Sequence, residues 1–154
     1  MATLTDCMST HHQACDGLYA EAEQAAHAGR WEDCRAATGA FVAAMTAHFG
    51  AEENTLFPRC QAASPVARGP VLVMLGEHDL MRELFAELEG AAAAGDAAAW
   101  LGSGDTLVIL MQQHNLKEER ILYPLCDQAI AAGAQLADEL AEQLATTQEG
   151  AAHV

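Results

Sequence analysis

Apolar residues recur along the chain at helical intervals. Phe41, Met45, His48, Glu52 and Leu56 step by four, three, four and four, one stripe of an α-helix, and Leu107, Met111, His114, Glu118 and Leu122 repeat that stripe. Met8, His12, Cys15 and Tyr19 line up in the same way, as do Met74, His78, Met81 and Phe85. No stretch alternates apolar with polar residues as a half-buried strand would, and alanine, a strong helix former, abounds. The pattern predicts an all-α domain. A first helix runs from about Leu4 to His27 and meets the break "HAGR"; a second runs from about Glu32 to "TLFP". Pro58 and then "ASPVARGP" mark a linker from Pro58 to Pro70. A third helix covers about Val71 to Ala93 before "AAGD", where Asp96 is placed to cap a fourth. The fourth reaches the neighbourhood of "ILYP", with "GSGD" at 102–105 either delaying its start or kinking it. Leu136, Leu140 and Leu144 then mark an amphipathic fifth helix over about 133–147 that covers one side of the others, and "QEGAAHV" is expected to fray.

An internal repeat organises these elements. An offset of 66 carries His12 onto His78, Gly29 onto Gly95, His48 onto His114, Glu52 onto Glu118 and Cys60 onto Cys126. Residues 12–60 and 78–126 align without a gap at 17 identical positions of 49, and only four of those pair alanine with alanine. Two related helical hairpins within a single domain, residues 1–154, follow from this.

Charge and cysteine content narrow the function. Seven Lys and Arg against 22 Asp and Glu leave a net charge of −15, which repels nucleic acid and anionic membrane surfaces. The N-terminal residues carry no basic segment followed by an apolar run, and nowhere do 18 apolar residues follow one another, so a cytoplasmic protein is expected. Five cysteines with no C-x-x-C pair read as reduced thiols, mostly packing residues, rather than as a disulfide framework or a zinc knuckle.

The polar residues inside the apolar stripes carry the chemistry. His12 lies 17 residues before Gly29 and His48 lies 19 after it; His78 and His114 stand in the same relation to Gly95. Near-equal arms of an antiparallel hairpin bring two side chains to one level, since each residue advances about 1.5 Å. Four imidazoles and two carboxylates therefore converge in one buried layer. Burying Glu52 and Glu118 unpaired would cost several kcal/mol each, on the order known for isolated charges, and too few inward Lys or Arg stand ready to neutralise them. Metal cations account for the set: imidazole with carboxylate suits iron, manganese or zinc, and a carboxylate from each half can bridge two ions. His11 beside His12 leaves the inward residue of the first helix open, although the repeat favours His12 because His11 pairs with Glu77. His11 and Glu77 are either additional ligands or rim residues, with the rim position favoured. Glu53 and Glu119 either accept from ligand imidazoles or stand exposed between helices. His27 and His153 read as a helix-end and a tail residue. Met45, Met74, Met81, Met111, Cys15 and Tyr19 would surround the layer as packing residues.

The order His12, His48 with Glu52, His78, and His114 with Glu118, set in the strings "HQACDGLY", "HFGAEENTLFP", "EHDLMRELF" and "QQHNLKEERILYP", resembles the hemerythrin-like (HHE cation-binding) family over about residues 8–127. The resemblance implies an antiparallel up-down four-helix bundle, about residues 4–127, enclosing a non-haem diiron centre with an oxo or hydroxo bridge. It implies that His12 and His48 ligate one iron, that His78 and His114 ligate the other, and that Glu52 and Glu118 bridge them, with zinc or manganese as substitutes. Family members that carry oxygen have a further His one turn before His78, where this chain has Met74, and an Asp where it has Glu118. A protein that binds or reacts with O2, NO or peroxide, in oxidative stress or sensing, is therefore expected ahead of a dedicated carrier. The alternatives are a diiron enzyme reducing peroxide or NO with an unidentified electron donor, and an iron storage or delivery protein.

Overall fold

The computed structural model describes residues 2–152, and no strand occurs among them. Thr3 caps α1 (Leu4–Ala28): its hydroxyl accepts from the Asp6 amide at 3.0 Å while the Asp6 carboxylate accepts from the Thr3 amide at 3.2 Å. The helix ends at Gly29, whose φ of 70° is left-handed and strained for any residue with a Cβ. The chain turns back into α2 (Trp31–Ala51).

At Pro58 the structure departs from the sequence expectation. The backbone does not stop there but passes through a π turn, Glu52–Leu56, into α3 (Phe57–Ala63), so the helix outlasts the proline by five residues. In a regular α-helix the ring would meet the carbonyl of Asn54. Widening the preceding turn, with the Phe57 amide donating to the Glu52 carbonyl five residues back, relieves that clash. The true connection is a 3-10 turn, Pro65–Ala67, and α4 (Arg68–Ala94) already includes Pro70.

The second hairpin repeats the first. α4 ends at Gly95, φ 66°, and Asp96 caps α5 (Ala97–Lys117) by accepting from the Ala99 amide at 3.1 Å. "GSGD" lies inside α5 and does not delay it; a Cβ on Gly104 would fall 2.5 Å from the Tyr19 hydroxyl, so glycine there admits a neighbouring ring. A second π turn, Glu118–Leu122, precedes Pro124 and leads into α6 (Tyr123–Ala129). α7 (Gly133–Ala152) lies against α1 and α2, with Leu136, Leu140 and Leu144 buried. Its backbone is helical through Ala152, past the point where fraying is expected, and His153 lies outside the described residues.

α1 packs on α2 and α4 on α5, and the hairpins meet through α2 with α4 and α1 with α5, an antiparallel four-helix bundle. Two apolar clusters fill it. One, towards the glycine turns, contains Tyr19, Phe41, Phe85, Leu88 and Trp100, whose indole donates to Thr38 at 3.2 Å. The other contains Leu4, Met8, Leu56, Phe57, Tyr123 and the α7 leucines. The histidine layer lies between them. Asp127 ties the ends of the bundle together, accepting from the Leu4 amide at 2.7 Å and the Thr5 amide at 3.1 Å at the positive end of α1.

The cysteines correct the expectation of five reduced thiols. Cys60 on α3 and Cys126 on α6 form a disulfide across 5.2 Å between Cα atoms, and their separation of 66 residues is the repeat offset itself. Equivalent residues of two halves meet only near the axis that relates them, which composition does not reveal. Cys7, Cys15 and Cys34 are free. No described helix is long and apolar enough to cross a membrane.

Candidate metal centre

The bundle brings all six predicted residues into one layer. His12 comes from α1, His48 from α2, His78 from α4, His114 from α5, and Glu52 and Glu118 from the two π turns; each is 3 % exposed or less. Their ligand atoms gather into two groups that share a carboxylate: His12, His48 and Glu118 in one, and His78, His114, Glu52 and Glu118 in the other. Glu118 Oε1 lies 3.1 Å from His12 Nε2 and 3.2 Å from His114 Nε2, and Glu52 Oε1 lies 3.2 Å from His78 Nε2 and 3.6 Å from His48 Nε2. Each glutamate thus reaches imidazoles of both hairpins. On the first helix His12, the residue that the 66-residue register favours, turns its Nε2 to the carboxylates, while His11 turns to His48.

Behind the imidazoles lies a matching set of acceptors. His12 Nδ1 donates to Glu119 at 3.0 Å, His78 Nδ1 to Glu53 at 2.7 Å, and His114 Nδ1 to Glu77 at 2.9 Å. Of the open alternatives for Glu53 and Glu119, the structure selects the acceptor role. Glu77 is also an acceptor, turned away from the centre and paired with Lys117. Arg82 braces Glu53 at 2.9 Å. A carboxylate on Nδ1 fixes the proton there, leaves the Nε2 lone pair aimed at the centre and raises its basicity, the usual support of a metal-binding histidine. His48 differs: its Nδ1 meets His11 Nδ1 at 2.8 Å, so His11 is a buried partner, 6 % exposed, and not the rim residue expected.

Tyr123 is the residue that helical periodicity misses. Its buried hydroxyl stands 2.7 Å from Glu52 Oε2, 2.9 Å from Glu118 Oε1, 3.2 Å from His48 Nε2 and 3.3 Å from His12 Nε2. At α-helical geometry a residue five places after Glu118 would point about 140° away. The π turn restores it to the same face. The available signal was the proline one residue later, which forces the wide turn. Phe57, its counterpart in the first hairpin, stacks over His78 with no hydroxyl to offer.

Electrostatics show what the layer demands. Burial, then the charge of Glu118, pushes the Glu52 carboxyl well above its ordinary range. Burial also acts on Glu118, but the close approach of Glu52, His114 and His12 outweighs it and holds that carboxyl well below. Two buried carboxyls in contact share a proton between them, and burial with the neighbouring charge favours the protonated form of Glu52. Burial, reinforced by His12, drives His48 well down and His11 to about 4, so both are neutral near pH 7. Burial and the two carboxylates raise Tyr123. Among the buried polar atoms, Glu52 Oε1, Glu118 Oε2, His78 Nε2 and His114 Nε2 have no hydrogen-bond partner. Lone pairs of four groups converging without donors suit cations, and the nitrogen and oxygen donor set suits iron, manganese or zinc.

The profile of the hemerythrin HHE cation-binding domain matches residues 3–126. No curated protein and no solved structure matches the chain.

Proposed function

We propose that this chain, which belongs to the hemerythrin HHE cation-binding domain family, holds two iron ions in its histidine layer and uses them to bind or react with O2, NO or peroxide. One observation carries the reading: four imidazoles turn Nε2 to two fully buried glutamates, each imidazole held from behind on Nδ1. His12, His48 and Glu118 would hold one ion and His78, His114, Glu52 and Glu118 the other. When bound, the ions supply one-electron and two-electron redox chemistry and open positions for a diatomic ligand or peroxide.

The chain's own residues do the rest. Glu53, Glu77 and Glu119 keep the ligand imidazoles in the Nδ1–H tautomer. Met45, Met111, Met74 and Met81, all buried, exclude water on either side of the layer. A cavity of about 470 Å³ between α1 and α5, lined in part by Tyr19, Met111, Asn115 and Glu119, approaches the carboxylate behind His12 and offers a small ligand a way in. Tyr123 favours a second reading, turnover: a buried hydroxyl among four donor atoms is a proton donor placed beside the reacting ligand. In that case reduction of peroxide or NO needs an external electron donor.

The test is metal analysis of protein expressed with iron, followed by anaerobic reduction and optical spectra on adding O2, NO and H2O2 in turn. About two irons per chain with a stable ligand band supports binding; ligand consumption under continued reductant supports turnover. A single zinc, or no metal uptake, refutes the dinuclear reading.

A further inference from the structure

The two hairpins are equivalent almost throughout the layer, and the exceptions fall on one side of it. Glu119 behind His12 answers to Glu53 behind His78, both at the repeat offset. The counterpart of Glu77 behind His114, however, is His11 behind His48. With His48 Nε2 turned to the centre, its Nδ1 carries the proton and donates to His11. The receiving Nδ1 of His11 is therefore bare, and His11 is a neutral ring protonated on Nε2, an atom with no partner of its own.

Three imidazoles of the layer thus lean on carboxylates and one on a neutral ring. A carboxylate acceptor draws the Nδ1 proton strongly and makes Nε2 a better donor to a cation; a neutral acceptor does so less. The same group, His12 with His48, also gathers one glutamate where the other gathers two. His11 in addition forms part of the wall of a surface cavity of about 310 Å³ between α1 and α7, with Cys7, Ala14, Ala137 and Leu144.

We propose that His11 is a positioning residue that makes the two metal positions unequal, so that the ion held by His12 and His48 is bound more weakly and leaves first. The inference rests on the dinuclear reading.

Protein is loaded anaerobically with Fe(II), its iron content measured, and release to a ferrous chelator followed with time. The wild type releases iron in two phases separated by about tenfold or more, the range seen when a partner of a metal-bound imidazole changes. His11→Glu, which copies Glu77, slows the fast phase and closes the gap to within about threefold. His11→Gln, a neutral acceptor of similar reach, keeps the wild-type gap, and Glu77→Gln speeds the slow phase. If His11→Glu does not fold, as read from its helicity, Glu77→Gln carries the test alone. Two ions leaving the wild type in one phase, or a gap unmoved by His11→Glu and Glu77→Gln, overturns the role of His11 and leaves the dinuclear centre standing. Uptake of only one ion overturns the dinuclear reading and this inference with it.

Discussion

Glu52→Gln separates a ligand from a structural acid, because its effect should depend on whether metal is bound. In the metal-free protein burial and the charge of Glu118 favour the neutral, protonated form of Glu52, and the amide is nearly isosteric with that form. The amide oxygen can still accept from Tyr123, as Glu52 Oε2 does at 2.7 Å. The expected change in metal-free stability is therefore within about 1 kcal/mol, the net worth of one hydrogen bond. With metal the balance reverses. An ion present at 100 times its dissociation constant stabilises the fold by about 2.7 kcal/mol, and an amide is a poor substitute for a bridging carboxylate. Losing one ion should lower the midpoint of the loaded protein by roughly 5 to 10 °C, at about 2–4 °C per kcal/mol for a domain of this size. Calorimetric melts of chelator-treated and iron-loaded protein, with iron content measured on the same samples, give the comparison. Equal destabilisation of both forms would make Glu52 a structural residue. An unchanged loaded form with two irons would remove it from the bridge.

Three further outcomes test other parts of the structure. Tyr123→Phe, which copies Phe57, should keep both ions and the fold to within about 1–2 kcal/mol by melting, while altering the optical spectrum with peroxide or NO; an identical spectrum would exclude the hydroxyl from the chemistry. Reduction of Cys60–Cys126, which closes a loop of 66 residues, should cost up to about 4 kcal/mol in denaturant melts with and without reductant, and no change in midpoint would show the bridge to be dispensable. His11 in the metal-free protein is held at about 4 against an ordinary 6.5. Between those values the unfolded chain binds a proton that the folded one does not, so folding stability falls as pH falls through that window. His11→Gln should remove this loss, gaining on the wild type by up to about 1.4 kcal/mol per pH unit below 6.5; parallel pH profiles for the two proteins would contradict the burial argument.

Much of this protein was legible in its sequence because helices report on themselves. The apolar stripes identify which face of each helix is buried, and the glycine turns and the Asp96 cap depend on backbone chemistry within a few residues. Equal arms about Gly29 and Gly95 then suffice to place four histidines and two glutamates at one level. The repeat of 66 residues even distinguishes His12 from His11, since it carries the orientation of one hairpin over to the other.

Tertiary structure decided what local spacing cannot. Tyr123 joins the layer through a π turn, which changes the angular step that any α-helical projection assumes. Cys60 and Cys126 pair because both lie near the axis relating the halves, a position defined only once the hairpins pack. His11 finds His48 on another helix, and Glu53 and Glu119 find imidazoles of the opposite hairpin. Periodicity tells which way a side chain points from its own helix; what it meets there depends on how neighbouring helices approach, and that is set by the packing of the whole bundle.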